Sequence, residues 1–316
     1  MIRAFDMFCG GGGSSLGAQS AGVTVVRGAE IAEYAARAFK ANFPGAELLT
    51  GDLRDHDAEA VATRVGRVDL LLSSPECTNH TCAKGSVPRS EESRETALQV
   101  LRYATALRPR WVILENVVHI RPWKRFLELK DGLAELGYHV REFVLDASNF
   151  GVAQKRRRLF LVADTTCEPT DIAVGKRSIK PAVSILDAPG SWQSSPLKKK
   201  GRAKDTLERA ERAIEEVGTA TPFLLVYYGT DGGGGWQSLD VPLRTVTTLD
   251  RFALVEPTPQ GHMMRMLQPT ELRRAMGFPA SYRFPKGTRR DKIRLLGNAV
   301  CPPVMKRLVS GLVVGQ

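Results

Sequence analysis

The chain has 316 residues with a hydrophobic fraction of 43%, enough for one large domain or a large and a small one around an ordinary globular core. No apolar run approaches ~20 residues, so no membrane span is expected, and a first strand opening at Ile2 leaves no room for a targeting peptide, which points to a cytoplasmic protein. Lysine and arginine number 45 against 34 aspartate and glutamate, and a net charge of +11 favours a polyanionic partner, nucleic acid being the commonest.

Short apolar runs then alternate with helical patterns. Strands are predicted at residues 3–8, 23–28, 47–50, 68–73, 111–114, 140–145 and 158–163, with helices at 15–21, 32–42, 91–107 and 123–136. This alternation predicts an α/β sheet with helices on both faces, whose sites gather outside the carboxyl ends of the strands. After Asp164 the periodicity fades. Residues 165–201 are rich in Pro, Ser, Lys and Thr; a charged helix follows at 204–217, a strand at 223–228, a glycine run at 232–235, and strands at 244–248 and 252–255. Residues 170–264 therefore read as a smaller, irregular inserted domain, with 1–169 and 265–316 forming the larger one. Helical patterning returns over 269–276, and a turn at 297–300 leads into a last helix at 302–314, where Pro302 and Pro303 suit the first turn.

The first strand empties into a glycine-rich turn, with Asp6, Phe8, Gly10, Gly12 and Gly13 in an Asp-x-Phe-x-Gly-x-Gly-Gly pattern. Glycines at a strand-to-helix turn let the backbone approach a ligand closely. Glu30 ends the second strand, where an acid can bind ribose hydroxyls, and Asp52 follows the third. A dinucleotide-binding oxidoreductase would carry similar features, although its G-x-G-x-x-G spacing is met only loosely here. The five cysteines are scattered without a C-x-x-C pair, so neither a zinc site nor a disulfide framework is predicted. Cys77 stands out among them, in a Ser-Pro-x-Cys turn after the 68–73 strand. A lone cysteine is more often a buried small hydrophobe, but a thiol at a strand end is also where a nucleophile belongs. Glu115 and Asn116 close the apolar 111–114 run, and Gln154, Arg156 and Arg158 form a Gln-x-Arg-x-Arg pattern whose alternate arginines share one strand face.

In order and content these segments resemble the C5-cytosine DNA methyltransferases over almost the whole chain, apart from about 165–240. The resemblance extends to Pro242–Thr247, to Arg265–Pro279 and to the Gly297-Asn298-Ala299-Val300 segment. It implies an S-adenosylmethionine-dependent methyltransferase (Rossmann-like) mixed sheet plus a target-recognition domain in the 170–264 insert. It implies S-adenosylmethionine held by Phe8, Gly10, Gly12, Gly13, Glu30, Asp52, Leu53 and Pro75, with Asn298 and Ala299 closing the pocket. Asp52 would meet the adenine amino group. Cytosine C5 is a poor nucleophile, so a thiolate must first add at C6. The resemblance gives that role to Cys77, with its pKa lowered in an electropositive pocket; it places Glu115 at N3 of the base, Arg158 at O2, and Arg156 near the nucleophile or a phosphate. Pro75-Glu76-Cys77-Thr78 departs from the family's Pro-Pro-Cys-Gln, and a charge at Glu76 raises the thiol pKa unless that side chain points outward.

The implied partner is double-stranded DNA with the target base flipped out, bound by a monomer with neither metal nor membrane. The 78–90 loop, with Lys84, Gly85, Ser86 and Arg89, is expected to act as a lid, and residues 198–204 and 227–237 to contact DNA. A tRNA cytosine methyltransferase and a catalytically silent DNA-binding paralogue are the alternatives within this resemblance.

Overall fold

The computed structural model describes residues 1–80, 90–172, 179–228 and 235–313. Its main sheet contains β1 (Arg3–Met7), β2 (Thr24–Glu30), β3 (Glu47–Thr50), β4 (Leu70–Ser73), β5 (Trp111–Asn116), β6 (His139–Asp146) and β7 (Arg157–Asp164). The strand order is β3-β2-β1-β4-β5-β7-β6. All neighbours are parallel except β7, which runs antiparallel between β5 and β6. The helices are α1 (Gly13–Ser20), α2 (Glu33–Asn42), α3 (Ala58–Val65), α4 (Glu91–Arg94), α5 (Gln99–Leu107), α6 (Phe126–Glu135), α7 (Lys204–Val217), α8 (Pro269–Ala275), α9 (Arg289–Asn298) and α10 (Pro302–Val313).

The central strands are buried along their whole length, as continuous apolar runs require when both faces are covered. Strict alternation sends Ala4, Leu70, Leu72, Ile113, Phe160 and Val162 to the core beneath α1 and α10. Phe5, Met7, Leu71, Val112, Leu114, Leu159 and Leu161 go to the opposite core, beneath α3, α5 and α6. The same alternation positions the site. Glu115 lies opposite Phe160 across the β5–β7 ladder, so Glu115 and Arg158 project from the face that carries α10.

A second, antiparallel sheet is formed by β8 (Ser195–Pro196), β9 (Phe223–Val226), β10 (Trp236–Ser238), β11 (Phe252–Thr258) and β12 (Gly261–Met266), in the order β10-β9-β11-β12-β8. Phe223, Leu225, Ala253 and Val255 pack with Ala210 and Ala213 of α7, while Leu224, Val226, Phe252 and Leu254 join the main core. The part expected to be irregular thus contains a regular sheet.

Several local expectations are corrected. The strand predicted at 244–248 does not form; two of its amides donate to side chains instead of to a neighbouring strand, Arg244 N to Gln237 Oε1 (2.9 Å) and Val246 N to Gln154 Oε1 (2.7 Å). The single helix predicted at 91–107 is interrupted by a 3-10 segment at Glu95–Leu98. Helices α3 and α9 and strands β8, β10 and β12 were not anticipated. β12, Gly-His-Met-Met-Arg-Met, has no β-branched residue and forms because β11 and β8 pair with it. The expected lid residues Lys84, Gly85, Ser86 and Arg89, and most of the glycine run, lie outside the described residues.

Candidate active site

The thiol, the carboxylate and one arginine of the pattern meet at the carboxyl end of β4 and β5. Cys77 is half-buried four residues past β4, in a turn fixed by His80 N donating to the Cys77 carbonyl at 2.9 Å. Beside it, Asn116 donates from Nδ2 to the Pro75 carbonyl at 3.4 Å and accepts from Val117 N at 2.8 Å, which ties the ends of the two strands together. Glu115 is buried, and its Oε1 lies 3.1 Å from Nε of Arg158.

Burial dominates the electrostatics. The Glu115 carboxyl is pushed above its ordinary range by desolvation, against the pull of Arg158 and Arg156. The Cys77 thiol is also raised, again chiefly by burial; Arg158 and Arg156 oppose this, while Glu115 and Glu76 add to it. The expected lowering of the thiol is therefore not found: two guanidinium groups do not offset the lost hydration of a thiolate.

Arg156 is placed differently from Arg158. It precedes β7 and is buried, donating to the carbonyls of Val246 (3.0 Å), Gly297 (2.8 Å) and Ala299 (3.1 Å). Two distant chain segments converge on this one side chain, which leaves it no path to a DNA phosphate. Gln154 works likewise, accepting from Val246 N (2.7 Å) and donating to the Ala275 carbonyl (3.4 Å). Lys155 and Arg157 point outward, as alternation requires.

The glycine loop crosses from β1 to α1 next to this centre. Phe8 adopts a left-handed φ of 55°, uncommon for an aromatic residue, and Gly12 has φ 86°, as a side-chain-free residue readily does. A Cβ on Gly13 would lie 2.3 Å from the Val300 carbonyl oxygen, so the Asn298–Ala299–Val300 segment abuts the loop directly. Glu30 Oε2 accepts from Gly10 N at 2.8 Å, and Oε1 accepts from Ala32 N at 2.7 Å. Asp52 caps the 3-10 turn Leu53–Asp55 through Arg54 N (2.9 Å) and pairs with the Arg54 guanidinium at 2.6 Å. Leu53 and Pro75 are buried just past the ends of β3 and β4, and Asn298 is exposed.

Over residues 2–313 the sequence matches the C-5 cytosine-specific DNA methylases. The chain belongs to that family. It is similar to the type II methyltransferase M.HgiDI of Herpetosiphon aurantiacus, at 26% identity over 95% of this chain and 90% of that one. Similarity to M.NlaX of Neisseria lactamica reaches 27% identity over 98% and 96% of the two chains. DNA (cytosine-5)-methyltransferase 1 of Gallus gallus is 32% identical over 51% of this chain and 12% of its own. Among solved structures, a putative DNA modification methyltransferase encoded within an E. coli prophage superposes with a TM-score of 0.71 at 20% identity, over all of both chains. S. pombe Dnmt2 gives a TM-score of 0.71 at 19% identity, over 99% of this chain and 98% of that one. At these identities the structural likenesses speak for the methyltransferase fold.

In this methylase, sequence reasoning missed several residues that shape the site. Ser14 and Ser74 approach at 3.3 Å between their Oγ atoms, linking the glycine loop to the Cys77 turn. Tyr282 donates to the Gly11 carbonyl at 2.7 Å from far along the chain. Asp6 is fully buried, accepting from Ser15 N (3.1 Å) and Oγ (2.6 Å) through Oδ2. Asp6 stands in the glycine-loop pattern of the sequence, but its bond to Ser15 is not signalled there; nothing local signals the other two. Among the described residues no helix is long and apolar enough to cross a membrane, and no group of three or more metal-ligating side chains is assembled.

Proposed function

We propose that this methylase transfers a methyl group from S-adenosylmethionine to C5 of a cytosine flipped out of double-stranded DNA, acting as a monomer. The observation that carries the reading is the buried Glu115–Arg158 pair beside the half-buried Cys77 thiol, at the carboxyl ends of β4 and β5. Cys77 loses its proton and bonds through sulfur to C6, which leaves C5 enamine-like and nucleophilic. Glu115, held toward its protonated form by burial, donates to N3 and draws electrons from C6 during that addition. Arg158 orients the Glu115 carboxyl and meets O2. Once C5 carries the methyl group, with S-adenosylhomocysteine as the other product, the C5 proton would pass to solvent, the C6–S electron pair would return to Cys77 and the N3 proton to Glu115, which restores the aromatic ring. Arg156 acts at a distance, holding the 246 and 297–299 segments against the site.

The loop residues fit S-adenosylmethionine, which supplies an electrophilic methyl group when bound. Gly10, half-exposed at a φ of 53° beside Phe8 and the packed Gly12 and Gly13, brings backbone to a close ligand, and Glu30 stands at the end of β2 for ribose hydroxyls. Asp52, Leu53 and Pro75 line the next strand ends, and Asn298 and Ala299 border the loop from the C-terminal side. Residues 170–264 serve as the target-recognition domain, and the net charge of +11 supports a polyanionic substrate.

Bisulfite sequencing of DNA from a methylation-free bacterial host expressing the chain tests this. Cytosines protected in one short motif are expected, with protection lost in Cys77→Ala and reduced about 10²- to 10⁴-fold in rate in Glu115→Gln. Absence of protection from soluble protein that binds S-adenosylmethionine would sink the DNA reading.

A further inference from the structure

The departure at residue 76 has a structural counterpart. Glu76 is exposed, yet its Oε2 accepts from Asn79 Nδ2 at 3.2 Å and from the Ser93 hydroxyl. Asn79 is buried at the far side of the Cys77 turn, donates from Nδ2 to Ser93 Oγ at 2.8 Å, and accepts from Ser90 N at 2.9 Å. The Asn79 carbonyl in turn accepts from Arg94 Nε at 3.1 Å. Ser90 caps α4, with its Oγ accepting from Ser93 N at 3.2 Å. Both flanks of Cys77 are thus tied to the same turn of helix.

A proline before the nucleophile would restrict φ and stiffen the turn covalently. Glutamate leaves φ free, and its negative charge opposes formation of the neighbouring thiolate. A residue with that disadvantage has a reason to be there if its oxygens do what the ring would otherwise do. We propose that Glu76 is a positioning residue for Cys77: through Asn79 and Ser93 its carboxylate clamps the nucleophile turn onto the start of α4, and so sets where the sulfur meets the base. The proposal rests on the reading of Cys77 as the nucleophile.

Single-turnover and steady-state methylation of unmethylated bacterial DNA, with labelled S-adenosylmethionine, test it in wild type, Glu76→Ala, Glu76→Gln, Ser93→Ala and the Glu76→Ala/Ser93→Ala double variant. Loss of the clamp misplaces the sulfur, so Glu76→Ala and Ser93→Ala each lower kcat by about tenfold with little change in the KM for DNA. Glu76→Gln keeps an oxygen for the Ser93 hydroxyl and returns kcat to within about threefold of wild type. The double variant is no worse than either single one, since both break the same contact. The clamp is overturned if Ser93→Ala matches wild type, if Glu76→Gln is as impaired as Glu76→Ala, or if the two losses multiply. Should Glu76→Ala not fold, the Ser93→Ala and Glu76→Gln arms decide alone. Cys77→Ala separates the two ideas: turnover by that variant removes the nucleophile reading itself, whereas an inert Cys77→Ala beside fully active Glu76 and Ser93 variants removes only the clamp.

Discussion

At Cys77, burial and charge act in opposite directions, and burial is the larger. The thiol is raised by desolvation, with Arg158 the largest opposing influence and Glu115 a reinforcing one. Thiolate is therefore scarce near neutral pH and increases as pH rises through the raised pKa. Removing the positive neighbour should shift the reactive range up, and removing the negative one should shift it down. Site-resolved alkylation of Cys77 by iodoacetamide as a function of pH is expected to show a higher midpoint for Arg158→Ala than for wild type and a lower one for Glu115→Gln. Midpoints that moved in the opposite order would mean that these groups do not face the thiol as described. Neutral Gln cannot take the proton-donor role proposed for Glu115, so a more ionised thiol in Glu115→Gln should still accompany slower methylation.

The β1–loop–α1 element holds a second buried carboxyl with a different consequence. Asp6 ties the end of β1 to α1 through both the amide and the hydroxyl of Ser15. Desolvation by burial pushes its carboxyl up to about 7 from an ordinary 3.8, although the two Ser15 hydrogen bonds lower it. The native state thus binds the Asp6 proton more tightly than the unfolded chain does. Between pH 3.8 and about 7 the unfolded state has already lost that proton, so the Asp6 contribution to stability falls as pH rises. Asp6→Asn removes this dependence. Its urea midpoint, compared with wild type at pH 5 and pH 8, should fall less between the two, by an amount on the order of 1.4 kcal/mol per pH unit of the window. Equal slopes would show that Asp6 does not titrate there. The same element contains a tight backbone approach, Gly13 against Val300, which is why a C-terminal segment can border an N-terminal loop.

Across the whole molecule, a charged network beside the shared apolar core ties the end of the second sheet to α8 and the 187 segment. Arg265 at the end of β12 pairs with Glu271 of α8 through two contacts of 2.8 Å, and both side chains are buried. Glu271 also accepts from Asp187 N (3.0 Å) and Gln268 N (2.6 Å), and Asp187 pairs with Arg274 at 2.6 Å. Deleting one partner strands the other charge in the interior. Glu271→Ala is expected to cost about 3–5 kcal/mol, measured by urea unfolding. A loss below about 1 kcal/mol would show that Arg265 escapes to water when unpaired.

Much of this organisation can be read from the chain itself. β3 and α7 fall where their apolar periods end, and β1, β2 and β4–β7 lie within about two residues of expectation, because long buried strands leave continuous apolar runs. Arg158 was legible because period-2 alternation assigns a face before any contact is known, and Glu115 because it closes an apolar run. Arg156 was not, since its partners are carbonyls 90 and more residues away in sequence. The second sheet was largely hidden because strands such as β12 owe their form to pairing rather than to composition. The state of the Cys77 thiol also belongs to the fold alone. Sequence supplies the arginines that would lower its pKa, but how much water the assembled site excludes decides the direction, and that depends on packing from distant parts of the chain.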